Sequence, residues 1–254
     1  MRILEWNEFS KGSSLFGQKD TSITVGIFDG VHRGHAALIE RIIHHDKNLV
    51  PVIVTFRQNH KKRPADISGF TQKIECFENL GVQITVIADL TEEFRMMNGS
   101  EFLKVLRETG RMKFLAVGGN FRCGFNQDTD AAKIREINSA AGIPTEIVEV
   151  MTEEGVPISS SRIRNAIIHG QLNDAVIMLG HPFVLDLRDI KFEVDKHEEA
   201  LFDIAGAGRT LPGPGTYMVM LRGKTDVKKA SAQIAEGKLR IPCVKTEFVE
   251  FCPE

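Results

Sequence analysis

The chain has 254 residues, of which 42% are hydrophobic, and its formal net charge is −2 at pH 7. A chain of this size and composition can bury a sizeable core, either as one large domain or as a domain with a small companion. The near-neutral charge provides no global basic field, which argues against a nucleic-acid partner, and no apolar run is long enough to cross a bilayer.

The cysteines and the N-terminal residues indicate the compartment. Cys76, Cys123, Cys243 and Cys252 show no C-x-x-C spacing, so we expect reduced thiols rather than a disulfide framework or a zinc site. The apolar character of the N-terminus is interrupted at Glu5, which is not typical of a signal peptide. Together these features predict a cytoplasmic protein without a membrane partner.

Apolar strands and amphipathic helices alternate through the first part of the chain. Asp29-Gly30 marks a turn after the first predicted strand, and Ser100 is the expected N-cap of a later helix. The predicted strands are residues 23–28, 49–56, 83–87, 114–117 and 145–150, and the predicted helices are residues 36–45, 71–80, 100–108 and 131–141. This alternation predicts an α/β domain with a Rossmann-like, doubly wound parallel sheet.

A change of pattern indicates a second domain. Residues 159–170 and 173–179 predict two short helices, each closed by a glycine, and the helical pattern ends at His181-Pro182. We therefore expect a boundary near Phe183, with domains at residues 1–183 and 184–254. Short β-like runs at residues 192–195, 216–221 and 239–244 predict that the second domain is a small β domain.

The stretch from residue 24 to residue 35 combines three glycines with two histidines, His32 and His35. Because these histidines open a helical pattern, their rings are expected on one helix face beside backbone N–H groups that lack helical partners. Glycines let phosphate oxygens approach the backbone, which favours a phosphate site over two ordinary surface histidines. A nearby anion would bias the imidazoles toward their protonated form. No P-loop pattern is present.

Three serines and two arginines follow at residues 159–164. One interpretation is a serine-capped helix with a solvated basic first turn. Arginines are unfavourable at the positive N-terminal end of a helix dipole, however, and a bound anion would relieve that conflict.

These motifs resemble the bacterial FAD synthetases, the prokaryotic riboflavin kinase/FMN adenylyltransferase family. Residues 26–35 resemble the family's first signature, whose H-x-G-H element is shared by a wider nucleotidyltransferase superfamily. Residues 158–164 resemble the signature I-S-S-T-x-x-R, with Ser161 in place of the threonine. The resemblance extends from about Ile23 to Phe183 and implies a fold of the HxGH nucleotidyltransferase type.

The resemblance implies a role for each matching residue. His32 and His35 would contact the ATP phosphates and stabilise the pentacoordinate transition state, together with Arg164. The residues implied to bind the nucleotide are Gly26, Phe28, Asp29, Gly30, Gly34, Asn126, Ser159, Ser160, Ser161 and Arg162.

Residues 118–130 resemble the family's G-x-D/N-F-x-F-G loop, with Cys123 replacing the second aromatic residue. The alternative is an ordinary polar loop after a strand. The resemblance implies that Asn126 and Asp130 organise the nucleotide and Mg²⁺, with Asp128 as a competitor, since a hard cation prefers oxygen ligands.

A flavin pocket is implied by residues 55–60, which correspond to the family's T-F-x-P-H-P. Thr55 and Phe56 match, whereas both prolines are absent. The residues implied to contact the flavin are Thr55, Phe56, Asn120 and Phe121. The basic residues 60–63 form either a solvated loop or a surface that attracts the flavin phosphate.

The resemblance implies Mg²⁺-dependent adenylyl transfer from ATP to FMN, giving FAD and pyrophosphate. Residues 184–254 contain no P-T-A-N segment, so we expect an inert remnant of a kinase barrel without riboflavin kinase activity. Two alternatives remain open, namely transfer to another phosphorylated acceptor and a non-catalytic flavin- or nucleotide-binding protein. The sequence does not indicate an oligomeric state.

Overall fold

The computed structural model describes residues 1–12, 17–57, 65–195, 197–242 and 245–252. The chain divides into two compact units. The first unit contains Met1–Phe28, Gly34–Gln58 and Ile74–Thr152, and the second contains Asp29–Arg33, Asn59–Lys73 and Glu153–Glu254. This division differs from a single cut near Phe183, so the boundary between domains 1–183 and 184–254 stays a prediction.

The first unit is built on a six-stranded sheet in which every described pair of strands is parallel. The strand order is β1-β4-β3-β2-β5-β8, so the order reverses between β2 and β5. The predicted doubly wound parallel sheet is therefore confirmed. Its strands are β1 (Arg2–Glu5), β2 (Thr21–Val25), β3 (Val50–Phe56), β4 (Ile84–Ala88), β5 (Met112–Gly118) and β8 (Thr145–Val148).

Short strands occur outside this sheet. In the loop after β5, β6 (Arg122–Cys123) pairs antiparallel with β7 (Thr129–Asp130), and further along the chain β9 (Thr152–Glu153) pairs with β10 (Val156–Pro157). The first of these pairs closes the loop that carries Asn126.

Most helices before residue 150 bury one apolar face, whereas the short helix Glu92–Met96 contains no buried residue. These helices are α1 (Trp6–Lys11), α2 (Arg33–His44), α3 (Phe70–Asn79), α4 (Glu92–Met96), α5 (Gly99–Glu108) and α6 (Ala131–Ala140). The prediction that Ser100 caps α5 is wrong. Asn98 is the N-cap, because its side chain accepts from the Glu101 N–H and the Glu101 carboxylate accepts from the Asn98 N–H.

The core of the first unit lies against both faces of the parallel sheet. The β2 and β4 strands are buried along their whole length, as expected for inner strands of a parallel sheet. The buried hydroxyls of Thr21 and Ser22 in β2 donate to the backbone carbonyl oxygens of Gly110 and Ile42. The ring of Trp6 belongs to this core and stacks on Phe102 with centroids 5.5 Å apart.

The second unit contains α7 (Ser160–Ile168), α8 (Leu172–Leu179) and a seven-stranded sheet whose described pairs are antiparallel. The predicted β character of the C-terminal region is confirmed, although several of these strands were not predicted and residues 243–244 lie outside the described residues. In sheet order the strands are β11 (Val184–Asp186), β17 (Phe248–Phe251), β14 (Gly215–Arg222), β15 (Val227–Ala235), β16 (Lys238–Pro242), β13 (Glu199–Asp203) and β12 (Phe192–Val194).

Two predicted boundaries are corrected. The strand predicted over residues 23–28 ends at Val25, because Phe28 has a φ of 55° and cannot continue an extended strand. Gly180 closes α8 in the left-handed conformation as predicted, whereas α7 is closed by His169, one residue before Gly170. None of the helices formed by the described residues combines the length and the apolar character needed to cross a membrane.

Candidate nucleotide-binding site

The reversal of strand order in the first unit marks a ligand-binding position. In open α/β sheets, ligands bind beyond the carboxyl ends of the strands where the order reverses. The residues that follow β2 at this end include Gly26 and Phe28, and those that follow β5 include Asn120 and Phe121. Four predicted site residues therefore lie at the expected end of the sheet.

The Asp29 turn, Asp29–Val31, is a single 3-10 turn in the second unit. Asp29 is 5% exposed, and its Oδ1 accepts from the backbone N–H of Ile67 at 2.9 Å and of Ser68 at 3.4 Å. The Gly30 N–H donates to Ser68 Oγ at 3.3 Å. The Asp29 carboxylate therefore fixes the shape of the turn that leads to His32.

The Ser–Arg helix, α7, contacts the Asp29 turn directly. Ser160 Oγ donates to the Asp29 carbonyl oxygen at 3.0 Å, across 131 residues of sequence. Arg164 Nη2 lies 2.9 Å from Asp29 Oδ2, and Arg164 Nε donates to the Ala65 carbonyl oxygen at 2.7 Å. The structure thus brings two of the predicted motifs together within one unit.

The remaining residues at the start of α7 have different surroundings. Ser159 is the N-cap and accepts from the Arg162 N–H, as the serine-capped interpretation expects, and Ser161 is exposed. Arg162 Nη1 donates to the carbonyl oxygens of Glu153 and Val156. The conflict between two arginines and the helix dipole is therefore relieved by protein groups: the Asp29 carboxylate for Arg164 and backbone carbonyls for Arg162.

His32 lies in a buried position that alters its titration. Its side chain is 6% exposed, and burial, reinforced by the charge of His181, lowers the pKa of His32 to about 4. His181 Nε2 itself lies 3.1 Å from the Gly30 carbonyl oxygen. The expectation of a protonated imidazole therefore needs a correction: burial favours the neutral ring at pH 7, and a phosphate group would have to overcome that preference.

His35 belongs to the first unit, in the first turns of α2. Its ring meets the Phe28 ring edge-on, with centroids 5.1 Å apart, and Phe28 in turn meets Phe77 in the same way. These aromatic contacts fix the orientation of the His35 ring, which a group that positions a phosphate requires.

The loop after β5 is held by a network around Asp128. Asp128 Oδ1 accepts from the Gly99 N–H at 3.1 Å and from Thr129 Oγ1 at 2.7 Å. Gly124 adopts a φ of 84°, and a Cβ atom there would lie 2.2 Å from Asp128 Oδ1. Because Asp128 Oδ1 already accepts two hydrogen bonds that shape the loop, Asp128 is a weaker candidate metal ligand than Asn126 and Asp130.

Asn126 and Asp130 remain the candidate metal ligands of this loop. Asn126 has a φ of 52°, Asp130 Oδ1 accepts from the Lys133 N–H as the N-cap of α6, and Asp130 Oδ2 lies 3.9 Å from Arg122 Nη2. Within the described ranges no group of three or more His, Cys, Asp and Glu side chains could hold a metal ion. The carboxylate and amide oxygens of Asp130 and Asn126 are donor types that Mg²⁺ prefers, so these two residues would suit a Mg²⁺ ion.

Cys123, in the same loop, is a poor nucleophile. Burial and the charge of Asp128 raise the pKa of the Cys123 thiol to about 12, so the thiol stays protonated at neutral pH.

Two of the residues implied to contact the flavin, Thr55 and Phe56, lie at the end of strand β3. Thr55 is fully buried and its Oγ1 donates to the Ile27 carbonyl oxygen at 3.2 Å. Phe56 is half-buried, with its ring edge-on to Phe94. The rest of the T-F-x-P-H-P counterpart, residues 58–60, and the basic stretch 60–63 lie outside the described residues.

Sequence reasoning missed residues 65–73, which carry several of these contacts. Lys73 is 3% exposed, and burial lowers its pKa to about 8 against the raising influence of Asp29 and Asp66. One signal was available, since Lys73 interrupts the apolar stripe formed by Phe70, Ile74 and Phe77 on α3. The backbone amides of Ile67 and Ser68 leave no sequence signal.

The comparisons with known proteins agree with these motifs. The sequence model of the family described as FAD synthetase matches residues 16–162. The bifunctional riboflavin kinase/FMN adenylyltransferase of Escherichia coli (strain K12) is 29% identical over 220 residues, which cover 83% of this chain and 66% of that protein. The Bacillus subtilis (strain 168) protein of the same name is 27% identical over 249 residues, covering 93% of this chain and 76% of that protein. The chain thus spans about two thirds of the length of the E. coli relative.

A solved structure supports the fold. The chain superimposes on a macrolide-efflux protein from Streptococcus pneumoniae with a TM-score of 0.80 and 20% identity, over 99% of this chain and 89% of that chain. This likeness concerns the fold alone. Because the family match covers more than half of the sequence, including the Asp29 turn and the start of α7, the chain belongs to the FAD synthetase family.

Proposed function

We propose that the chain transfers the adenylyl group of ATP to FMN and releases pyrophosphate, with FAD as the product. The observation that carries this proposal is the contact between the Asp29 turn and α7, through the Arg164–Asp29 ion pair and the Ser160 hydrogen bond. These segments hold the two signatures that the family resemblance assigns to the triphosphate. Membership of the FAD synthetase family supports the choice of FMN as acceptor.

The reaction needs positioning and charge neutralisation more than acid–base chemistry. An oxygen of the FMN phosphate attacks the α-phosphorus of ATP in line, a new P–O bond forms, and the bond to the β-phosphate oxygen breaks. The FMN phosphate monoester has a second pKa of about 6 and is mostly dianionic at pH 7, so it needs no strong general base.

Each side chain receives a role from its surroundings. His32 and His35 donate hydrogen bonds to phosphate oxygens as negative charge develops, and Ser161, exposed in the first turn of α7, offers a hydroxyl donor. Arg164 is held by Asp29 and Ala65, so it keeps the turn in shape, and the Asp29 carboxylate offsets its charge. We assign Gly26, Gly30 and Gly34 to close approach of the nucleotide, and Ser159, Ser160 and Arg162 to the shape of the α7 N-terminus.

We further propose that Asn126 and Asp130 hold Mg²⁺, which would neutralise charge on the triphosphate and on the departing pyrophosphate. Thr55, Phe56, Asn120 and Phe121 are proposed to contact the flavin. ATP and FMN are the small-molecule partners of this proposal, and we expect no riboflavin kinase activity.

The test is the separation of products after incubation with ATP and Mg²⁺, with FMN in one sample and riboflavin in another. We expect FAD and pyrophosphate from FMN, and neither FMN nor FAD from riboflavin. The absence of FAD from the first sample would contradict the proposal.

A second candidate function keeps the chemistry and changes the acceptor. It is favoured by the loss of both prolines in the counterpart of T-F-x-P-H-P, which changes the segment implied to line the flavin pocket. Labelled ATP and a panel of phosphorylated acceptors distinguish the two candidates. Flavin binding without pyrophosphate release would instead indicate a non-catalytic binding protein.

A further inference from the structure

The Asp29 turn is held by one short segment of the same unit, residues 65–69. The N–H groups of Ile67 and Ser68 bind the Asp29 carboxylate, and Ser68 Oγ accepts from the Gly30 N–H. Because the β-branched residue Val31 adopts a φ of 40° in this turn, the turn depends on these contacts to keep its shape.

The C-terminal β region holds the other side of this segment. The Thr210 N–H donates to the Asp66 carbonyl oxygen at 2.8 Å, and the Asp66 N–H donates to the Gly208 carbonyl oxygen at 2.9 Å. Asp66 and Arg209 thereby form an isolated parallel β-bridge. The segment that shapes the turn is thus paired to residues beyond the predicted adenylyltransferase domain.

The side chain of Thr210, in the C-terminal region, makes a further contact with this segment, beyond the bridge. Thr210 is 2% exposed, and its Oγ1 donates to the Ala65 carbonyl oxygen at 3.0 Å. The same carbonyl oxygen accepts from Arg164 Nε at 2.7 Å, and Arg164 continues to the Asp29 carboxylate. Two donors on one carbonyl oxygen fix its direction more tightly than either donor alone, so Thr210 and Arg164 act on one peptide group.

We propose that Thr210 is a positioning residue for the triphosphate site, acting through residues 65–69 and the Asp29 turn. The C-terminal β region is then a working part of the adenylyltransferase and not the inert remnant that the sequence suggested. This inference rests on the proposed function for its kinetic consequence, whereas the structural coupling can be measured without any activity.

The test compares three substitutions in the full chain. Thr210→Val removes the hydroxyl at nearly constant shape, and Thr210→Ser restores it. Tyr217→Phe is the matched control, because the Tyr217 hydroxyl donates to the Gly213 carbonyl oxygen at 2.8 Å in the same unit, a hydrogen bond that does not involve residues 65–69. Thr210→Ala replaces the valine variant if the latter does not fold.

The first readout is hydrogen–deuterium exchange of peptides that cover residues 65–69 and the Asp29 turn. We expect exchange about five- to tenfold faster in Thr210→Val, and unchanged in Thr210→Ser and Tyr217→Phe, since one buried hydrogen bond contributes roughly that factor. Unchanged exchange in Thr210→Val would overturn the inference, as would failure of both hydroxyl-free variants to fold.

The second readout is the kinetics of FAD formation. We expect kcat/KM for ATP to fall about five- to tenfold in Thr210→Val while KM for FMN stays unchanged, with recovery in Thr210→Ser. Equal losses in Thr210→Val and Tyr217→Phe would mean a general structural effect and would overturn the positioning role. If the unmodified chain forms no FAD, the proposed function fails, and the exchange experiment still decides the coupling.

Discussion

The guanidinium of Arg164 and the carboxylate of Asp29 form an ion pair of 2.9 Å although 135 residues separate them in the sequence. Both side chains are largely buried, at 14% and 6% exposure. Each needs the other, because a buried charge without its partner retains the cost of leaving water. This pair therefore links two distant motifs of the chain through an interaction that can be measured directly.

The ion pair predicts a strongly non-additive thermodynamic cycle. Arg164→Gln and Asp29→Asn are each expected to lower the free energy of unfolding by about 3–5 kcal/mol, since each breaks a buried ion pair by removing one partner. The double variant should lose less than the sum of the two, with a coupling of about 1–3 kcal/mol in urea unfolding.

The exposed pair of Arg57 and Asp89 provides the control for that cycle. Its side chains are 47% and 54% exposed, so Asp89→Asn should cost less than about 1 kcal/mol. Additive losses at Arg164 and Asp29 would show that the buried pair is not coupled.

His32 predicts a loss of stability at acid pH. Its pKa is lowered to about 4 in the folded protein from 6.5, so the unfolded chain binds more protons between these values. Stability from this group is full above pH 6.5 and falls as the pH drops toward 4, by up to about 3 kcal/mol. The measurement is the difference in unfolding free energy between the unmodified chain and His32→Gln, and a difference that stays constant over this range would contradict it.

His35→Ala is expected to reduce the turnover of FAD formation by roughly 10²–10³, the usual effect of removing one preorganised donor at a developing charge. His44→Ala is the matched control, because His44 is an exposed histidine at the other end of the same helix. Near-normal FAD production by His35→Ala would remove His35 from the catalytic assignment.

Asp130→Asn separates metal binding from helix capping. Asparagine is as good an N-cap as aspartate, so the stability of α6 should change by less than about 0.5 kcal/mol. The Mg²⁺ concentration for half-maximal activity should rise roughly tenfold. Glu136→Gln makes the same charge change on the exposed side of α6, and an equal shift there would show that only net charge matters.

Gly124→Ala should destabilise the first unit by about 2–5 kcal/mol. The new Cβ would lie 2.2 Å from Asp128 Oδ1 and 2.3 Å from the Gly99 nitrogen, so the loop would have to shift in addition to its backbone strain. Gly142→Ala has positive φ but nothing within 4 Å, and should cost only about 1–2 kcal/mol in thermal unfolding. Equal losses of stability in Gly124→Ala and Gly142→Ala would show that the loop around Gly124 can shift without an additional energetic cost.

The hydrophobic pattern of the sequence is sufficient to predict the helices and strands that bury one regular face. The strand Val50–Phe56 and the helix Arg33–His44 were predicted to within a few residues because their apolar residues follow one clear period. The strand Arg2–Glu5 was missed because only Leu4 along it is buried, which leaves no alternation to detect.

In the candidate site, too, some features can be predicted from the sequence and others cannot. The segments around His32 and Arg164 were predicted from residue type and resemblance, and their individual roles stay predictions. The ion pair between Asp29 and Arg164 could not be predicted, because it depends on long-range packing. The support from Ile67 and Ser68 could not either, since any residue other than proline offers the backbone N–H groups that it uses.

The bridge between Asp66 and Arg209 has a consequence for synthesis on the ribosome. The Asp29 turn is translated early, but Thr210, whose hydroxyl helps to hold its supporting segment, is translated about 180 residues after Asp29. A nascent chain therefore cannot complete this part of the molecule until residue 210 has left the exit tunnel. A ribosome paused before that point would display an Asp29 turn that lacks part of its support to chaperones.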